Sequence, residues 1–435
     1  MNLFHRMAPA LIACSAALGI QSQTLVPLPE GDFFKPFRPH LSVPNQELIL
    51  REGDRLAICG DSITEQRMYS RIIETYLTVC VPDLRVSVRQ FGWSGERAPG
   101  FLSRMTNDVL RFRPTIATTC YGMNDHRYQP FTAEIGDVYS QSSRAIIQAF
   151  KSHGVRVVQG SAGTVGKMPS WVQTAEGNVQ DLNLGLLELR NIDVQLAREE
   201  NVTFADLFLP MLIQGRAAQQ KYGASYMITG KDGVHPDWAG QCVMAYSFLN
   251  AFGLEGNLGQ ITIDLENKSA STMGGHEVQG YNDGRLTLSS RQYPFCATGA
   301  LGDDSSMRSG MEWVPFMEEL NRLTLKIKNP SAARYRLYWG AFEKVYSSEA
   351  LSQGVNLATD FPENPFSEAF RKVDQAVATK QAYETRQIKQ IFHGPEGRAD
   401  KEMAAALTEK TREPLVSAIR DAFQPVVHSI RIVSE

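Results

Sequence analysis

Residues 55–64 read RLAICGDSIT, and this stretch predicts a buried strand that ends at a polar turn. The apolar run Leu56–Cys59 is short, and Gly60, Asp61 and Ser62 follow it at once. An amphipathic stretch over Arg67–Thr78 comes next and is typical of a helix. We therefore expect a strand–turn–helix unit here, which is the building block of a parallel α/β sheet.

The same alternation continues to about residue 253. Strands are predicted at Leu56–Cys59, Arg85–Phe91, Thr115–Tyr121, Val155–Gly160 and Thr203–Asp206, and helices at Arg67–Thr78, Phe101–Phe112, Val138–His153, Leu182–Glu199 and Trp238–Phe252. Alternation of this kind indicates a parallel sheet with helices on both faces and right-handed crossovers. Ligands of such sheets bind at the carboxyl ends of the strands.

The pattern changes after Gly256. Short alternating strands are predicted at Gln260–Leu265, Arg285–Ser290, Arg322–Lys328 and Arg334–Trp339, which together suggest a small antiparallel layer. Residues 366–423 favour helices with a break at His393-Gly394-Pro395, and Val426–Val433 is a candidate final strand. We expect an α/β domain over residues 51–255, a β-rich region over 256–345 and a mostly helical region over 346–435.

The N-terminus has the pattern of an export signal. Met1–Arg6 is basic, and Met7–Ile20 is apolar but too short to span a membrane. Residues 1–22 are therefore predicted to be a signal peptide, so that the mature protein is periplasmic or secreted. Leu11-Ile12-Ala13-Cys14 also resembles a lipoprotein signal, and lipid anchoring stays open as an alternative. Residues 23–50 are rich in proline and predict an extended segment.

The composition excludes several classes of partner. The net charge of -3 gives no electrostatic reason to expect binding to nucleic acid, and no further stretch is apolar enough to span a bilayer. The eight histidines and the cysteines show no spacing typical of a zinc site, so neither a metal nor an organic cofactor is expected. Five cysteines remain after the signal, and we expect a fold that does not depend on disulfides.

Two polar blocks hold the residue types of a nucleophile and its base. Ser62 follows the first strand, where its hydroxyl and its own N–H face one pocket. Asp232-Gly233-Val234-His235-Pro236 precedes the last helix of the α/β part. Histidine is the usual base for a serine hydroxyl, and Asp232 lies close enough in sequence to reach the far side of the ring. Taken singly, Ser62 is better explained as a helix cap, and the second block is better explained as a plain turn.

Two further blocks follow the second and third strands. Gly92-Trp93-Ser94-Gly95-Glu96 offers a backbone N–H that no side chain obstructs, and Gly122-Met123-Asn124-Asp125 offers an amide donor. Such donors stabilise the oxyanion of a tetrahedral intermediate. Each block alone is also explained as a turn or a cap. All four blocks lie on one edge of the predicted sheet, and this agreement favours catalysis.

The four blocks resemble those of the SGNH hydrolases, also called GDSL esterases and lipases. The resemblance covers residues 55–253 and implies a three-layer α/β/α, flavodoxin-like fold. It also implies that Ser62 is the nucleophile, completed by Asp232 and His235, with an oxyanion hole made by Ser62, Gly95 and Asn124. Many members have an asparagine shortly before the glycine block, where this chain reads Arg89-Gln90-Phe91-Gly92. That departure leaves the support of the Gly95 loop open.

The resemblance implies acyl transfer through a serine ester intermediate, with a small-molecule or glycan ester as the substrate. An exported enzyme with an added β layer favours a short acyl ester on carbohydrate, acetyl above all. Alternatives are a lipase or thioesterase and a non-catalytic binding module on the same fold.

Candidate substrate contacts are Asp61, Trp93, Glu96 and His126, each of which also fits core packing or solvated surface. Asp125 is expected to cap a turn or a helix. Oligomeric state is not predicted.

Overall fold

A computed structural model describes residues 28–435. The predicted signal peptide lies outside the described residues. Within them, no helix combines the length and the apolar character that crossing a membrane would require. The five cysteines of this part of the chain are all buried and unpaired, as the sequence predicts.

A five-stranded parallel sheet forms the first half of the structure, in the order β2-β1-β3-β4-β5. The strands are β1 (Arg55–Gly60), β2 (Ser87–Gln90), β3 (Ile116–Cys120), β4 (Arg156–Gly160) and β5 (Thr203–Ala205). The side chains of β1 alternate between two hydrophobic cores, with Ile58 in one and Cys59 in the other. The sheet is therefore covered on both faces, and the predicted α/β fold is confirmed.

Seven helices accompany this sheet: α1 (Ser62–Glu65), α2 (Tyr69–Val79), α3 (Ala98–Asp108), α4 (Ala133–Ser152), α5 (Val179–Glu199), α6 (Phe208–Tyr222) and α7 (Trp238–Ala251). Short 3-10 turns lie at Pro82–Leu84 and Leu110–Phe112. The sequence did not predict α6. Few of its residues are buried, so its apolar positions repeat only weakly at the helical period.

The second half contains two sheets, where the sequence predicted one antiparallel layer. Its strands are β6 (Asn257–Asp264), β7 (Ser269–Met273), β8 (His276–Asn282), β9 (Arg285–Ser290), β10 (Arg322–Lys328), β11 (Arg334–Trp339), β12 (Phe342–Ser347), β13 (Val355–Asn356) and β14 (Val426–Ser434). The four-stranded sheet has the order β13-β10-β6-β7, and the five-stranded sheet has the order β12-β11-β14-β9-β8. In the first, β6 and β10 are parallel, and the long connection between them passes through three further strands and two short helices.

The remaining helices are α8 (Met307–Met311), α9 (Phe316–Glu319), α10 (Ser348–Gln353), α11 (Leu357–Asp360), α12 (Ser367–Arg386), α13 (Pro395–Ala399) and α14 (Lys401–Ala422). A π-helical segment at Gln387–Phe392 continues α12 and ends at His393, where a break was predicted. The predicted final strand is β14, which pairs with both β9 and β11 in the middle of its sheet. The C-terminus therefore completes a sheet that begins about 150 residues earlier.

A buried chain of hydrogen bonds joins the two C-terminal sheets. The indole N–H of Trp339 donates to Nδ1 of His428 (3.0 Å), so Nε2 of His428 carries the proton and donates to Ser290 Oγ (2.9 Å). The Ser290 hydroxyl then donates to Nδ1 of His276 (2.8 Å), whose Nε2 donates to the Leu258 carbonyl (2.8 Å). Each N–H and O–H in this chain faces an acceptor as long as both histidines are neutral. A second proton on either ring would place two donors against each other.

This chain predicts that the stability of the fold decreases in acid. Burial lowers the pKa of His428 to about 3, and burial also lowers the pKa of His276. The unfolded chain takes up protons near the ordinary histidine pKa, whereas the folded chain does not. The free energy of unfolding should therefore decrease as pH falls from about 6.5 towards 3, by about 1.4 kcal/mol per pH unit from His428, with a further decrease from His276.

Denaturant unfolding of the wild type and of His428→Gln over this pH range measures the effect. Glutamine keeps a donor and an acceptor but cannot be protonated, so its pH slope should be shallower by about one proton. Carboxylates with shifted pKa values contribute equally to both proteins and cancel in the difference. Identical slopes would show that His428 does not set the acid sensitivity.

Candidate active site

Ser62 lies at the carboxyl end of β1, where the chain turns directly into α1. Asp61 caps this helix by accepting the N–H of Ile63 at 2.9 Å. A side chain at Gly60 has no room, because its Cβ would lie 2.1 Å from Thr64 Oγ1. The apolar strand, the glycine and the aspartate cap together place the serine at the edge of the sheet.

The structure brings Ser62, His235 and Asp232 together in one hydrogen-bonded line. Ser62 Oγ lies 2.8 Å from Nε2 of His235, and Nδ1 of His235 lies 2.7 Å from Oδ2 of Asp232. The carboxylate accepts the Nδ1 proton, which leaves the lone pair of Nε2 facing the serine hydroxyl. This is the geometry required for removal of the hydroxyl proton by the imidazole.

A tight turn holds Asp232 in its ionised form. Its Oδ1 accepts the backbone N–H groups of Val234 at 2.9 Å and His235 at 2.8 Å. Partial burial acts to raise the pKa of this carboxyl, but these two bonds and the bond from the His235 ring outweigh it and keep the pKa below its ordinary value. The aspartate is therefore charged at neutral pH, and its charge favours a protonated ring at His235.

The three N–H groups that the sequence predicted for the oxyanion hole are not strongly engaged elsewhere in the described part of the chain. The Asn124 amide sits between loops, with Nδ2 at 3.3 Å from Asp61 Oδ2 and 3.2 Å from the Glu96 carbonyl. Among residues 28–435, neither the Ser62 nor the Gly95 backbone N–H donates to a protein acceptor. These unused donors and the weakly held amide are the types of group that an oxyanion hole requires.

The loop that carries Gly95 is a β-turn. The Glu96 N–H donates to the Trp93 carbonyl at 3.1 Å, and Gly95 has a φ of +74°. That angle is typical of the third position of a type II turn, where glycine is favoured. Asp125 holds the neighbouring loop as the sequence predicted, because its carboxylate accepts the N–H groups of Ala98 (2.9 Å) and Gly122 (3.0 Å).

The sequence predicted direct substrate contact for Asp61, Glu96 and His126. All three side chains are buried and bond within the protein, so the geometry gives this role no support. Asp61 caps α1 and accepts from Asn124, and burial raises its pKa to about 7. The carboxylate of Glu96 forms a bidentate ion pair with Arg104, in which each carboxylate oxygen lies 2.6 Å from a guanidinium nitrogen.

His126 and Trp93 are also engaged by the protein itself. The ring of His126 is 1% exposed, binds the Met123 carbonyl through Nδ1, and has a pKa lowered to about 4 by burial. Trp93 is half-buried, with its ring centroid 4.9 Å from that of His393. Packing accounts for its position, so its predicted role as a substrate contact lacks support from the geometry.

Sequence reasoning missed two side chains at the site. The indole of Trp171 lies with its centroid 5.6 Å from the His235 ring and is 47% exposed. Gln241 is buried and joins the two catalytic loops, accepting the Tyr69 N–H at 3.0 Å and donating to Gln66 Oε1 at 2.9 Å and the Pro236 carbonyl at 3.3 Å. Neither residue belongs to a polar block after a strand, so no local signal singled it out.

Comparison with known proteins assigns this part of the chain. Residues 58–242 match the family model of the GDSL-like lipase/acylhydrolase family, and this range includes all four polar blocks. Residues 58–242 are a GDSL-like domain. Membership in this family makes the domain a hydrolase of ester bonds.

Relatives of the GDSL-like domain include an acetylxylan esterase from Geobacillus stearothermophilus, which is 25% identical over 222 residues, or 47% of this chain and 95% of the relative. A solved structure of an acetylxylan esterase from the same organism is 22% identical, covers 47% of this chain and 97% of its own, and has a TM-score of 0.39.

A further solved structure, of a gut microbial diltiazem-metabolizing enzyme, is similar over 90% of this chain and 99% of its own length. Its TM-score is 0.69 at 22% sequence identity, so the similarity shows a shared fold and nothing about a shared activity. Because the GDSL-like domain accounts for less than half of this chain, the shared fold extends well into the C-terminal sheets and helices.

Proposed function

We propose that this chain is an exported serine esterase that removes short acyl groups, acetyl above all, from carbohydrate. The observation that carries the proposal is the line from Ser62 Oγ through His235 to Asp232, with contacts of 2.8 and 2.7 Å. The same arrangement argues against a non-catalytic module, because a site without catalytic function does not require a base and a charged acid aligned on a serine.

The proposed reaction has two acyl-transfer steps. His235 takes the proton of Ser62 as the oxygen attacks the ester carbonyl, and the N–H groups of Ser62 and Gly95 with the Asn124 amide stabilise the oxyanion. The imidazolium then gives its proton to the leaving alcohol. In the second step, His235 activates a water that releases the acid and restores the serine.

A fluorophosphonate probe tests the hydrolase part of the proposal. We expect covalent labelling of the wild type on Ser62, mapped by mass spectrometry, and no labelling of Ser62→Ala. Ser103→Ala is a matched control, because this exposed serine bonds only to the Gly100 carbonyl of its own helix and should label normally. Labelling that persists in Ser62→Ala, or no labelling of the wild type, would favour the non-catalytic module.

The carbohydrate part has two supports. One is the similarity to an acetylxylan esterase, and the other is the exposed indole of Trp171 beside His235. Flat apolar faces of sugar rings pack well on exposed indoles. Release of acetate from acetylated xylo-oligosaccharides, compared with hydrolysis of long-chain esters, tests this choice. A clear preference for long acyl chains would favour the lipase alternative.

Replacing Trp171 by alanine should separate binding of the sugar from the chemical step. We expect KM for an acetylated xylo-oligosaccharide to increase about 5- to 10-fold, on the order of 1 kcal/mol of lost packing. Turnover of a small aliphatic ester such as ethyl acetate should change little, and Trp171→Phe should retain most of the binding. Equal losses on both substrates would instead indicate that the indole supports His235.

Export belongs to the same proposal and rests on the basic start and apolar run of residues 1–20. N-terminal sequencing of the protein recovered from the periplasm or medium tests it. A mature terminus near residue 23 supports cleavage by a signal peptidase, whereas a lipid-modified Cys14 supports the lipoprotein alternative. Recovery of the uncleaved chain in the cytosol would contradict export.

A further inference from the structure

The C-terminal helical region reaches the loop that carries Gly95. Lys389, in the π-helical segment after α12, lies 2.8 Å from each carboxylate oxygen of Glu65. Glu65 is the last residue of α1, the short helix that begins with Ser62. An ion pair therefore joins the end of the nucleophile helix to a residue 324 positions later in the chain.

The same carboxylate holds the β-turn at residues 93–96. Glu65 Oε2 accepts the backbone N–H of Ser94 at 2.5 Å and its hydroxyl at 2.7 Å. Burial acts to raise the pKa of Glu65, but Lys389 and Ser94 outweigh it, so the pKa lies below its ordinary value and the group is charged at neutral pH. Lys389 also lies 5.3 Å from the centroid of the Trp93 ring, at the start of the turn.

The orientation of one peptide bond in this turn matters for catalysis. Ser94 and Gly95 are the two central residues, so the Gly95 N–H belongs to the central peptide. Type I and type II turns differ by rotation of this peptide, which reverses the direction of its N–H. The bonds to the Ser94 N–H and hydroxyl fix the residue that precedes this peptide, and we expect them to favour the peptide orientation that Gly95 has in the type II turn.

A second contact from the C-terminal region supports the other end of the loop. The Gly92 N–H donates to Oε1 of Gln90 at 3.0 Å, and Nε2 of Gln90 binds Thr385 Oγ1 on α12. The loop is thus held from both sides by residues that contact one face of the C-terminal helices.

We propose that Lys389 and Glu65 are positioning residues for the oxyanion hole: Lys389 fixes the Glu65 carboxylate, which fixes Ser94 and with it the direction of the Gly95 N–H. The network gives the C-terminal helical region a direct part in turnover. This inference rests on the proposed serine esterase mechanism.

Kinetics of four variants test the network. Glu65→Gln keeps an acceptor but loses the ion pair, and kcat should fall about 10- to 100-fold with KM little changed, less than the full loss of one oxyanion donor. Lys389→Met should lower kcat about 5- to 10-fold, and Lys389→Arg should restore most of it. Lys372→Met is the matched control, because Lys372 makes an exposed 3.0 Å pair with Glu368 on α12, away from the loop.

The order of the network is tested by a double variant. If Lys389 acts through Glu65, then Lys389→Met should cause no further loss of kcat in the Glu65→Gln background. Additive losses, an effect on KM alone, or an unchanged kcat in a correctly folded Lys389→Met protein would overturn the proposal. Ser62→Ala serves as the reference: if it retains full activity, the mechanism itself is wrong, whereas an inactive Ser62→Ala with an unaffected Lys389→Met rejects only the network.

Discussion

Replacing Ser62 by alanine is expected to lower kcat for an acetyl ester by about 10⁴- to 10⁶-fold, because the covalent route is lost and only the oxyanion donors remain. The fold should not change, since the serine is partly exposed and its side chain bonds only to His235 among the described residues. Acetate release measured over hours, with circular dichroism as the check on folding, detects a loss of this size. Retention of more than a few per cent of the activity would exclude Ser62 as the nucleophile.

Asp232→Asn separates the role of the acid from that of the nucleophile. Asparagine fits the same turn but cannot hold the Nδ1 proton of His235, so kcat should fall about 10⁴-fold. Asp237→Asn is the matched control. It makes the same chemical change five residues later, where Asp237 caps α7 through the Trp238 N–H at 2.8 Å, a position that asparagine fills equally well. An Asp232→Asn enzyme as active as Asp237→Asn would contradict the assigned role.

The local part of the site was predictable because its signals are local. Three of the four blocks follow an apolar run, and the fourth precedes the last helix of the α/β domain. The carboxyl ends of parallel strands lie on one edge of a sheet. The glycine that ends β1, with the aspartate and serine that follow it, is also explained as a helix cap, and only its agreement with the other blocks favoured catalysis. The same logic predicted that Asp125 caps its loop.

The long-range part was not predictable because nothing local encodes it. The contact of Lys389 with Glu65 joins positions 324 residues apart, and an isolated lysine in a charged helix looks like solvated surface. The burial of Glu96 beside Arg104 was not predictable for the related reason that it depends on how the chain packs around α3, not on the residues next to it. The parallel pairing of β6 with β10 likewise joins strands separated by about 60 residues of strands and short helices, and no local pattern encodes it.

The C-terminal helices are also joined to the α/β domain by a buried ion cluster, and Lys380 is its centre. This side chain is 1% exposed, and Nζ lies 2.8 Å from Glu74 Oε1, 3.0 Å from Glu384 Oε1 and 2.5 Å from the Val88 carbonyl. Three acceptors satisfy its three protons. Glu74 belongs to α2 and Val88 to β2, so the cluster joins α12 to both.

Lys380→Met should lower the free energy of unfolding by about 3–5 kcal/mol, because the substitution leaves Glu74 buried without its cation. Burial already raises the pKa of Glu74 in the folded protein, and loss of Lys380 raises it further. The folded variant then gains a proton as pH falls, so the destabilisation should be smaller at pH 5.5 than at pH 8. Denaturant unfolding at the two pH values measures both effects.

Two companion variants make the interpretation specific. Adding Glu74→Gln to Lys380→Met removes the unpaired charge, while the amide can still bind Gln381, so much of the lost stability should return and the pH dependence should weaken. Lys372→Met, on the same helix but exposed, should change stability by less than about 0.5 kcal/mol. If Lys380→Met behaves like Lys372→Met, the cluster does not hold the two halves together. If the loss is large but the Glu74→Gln addition restores nothing, packing of the lysine stem rather than its charge is responsible.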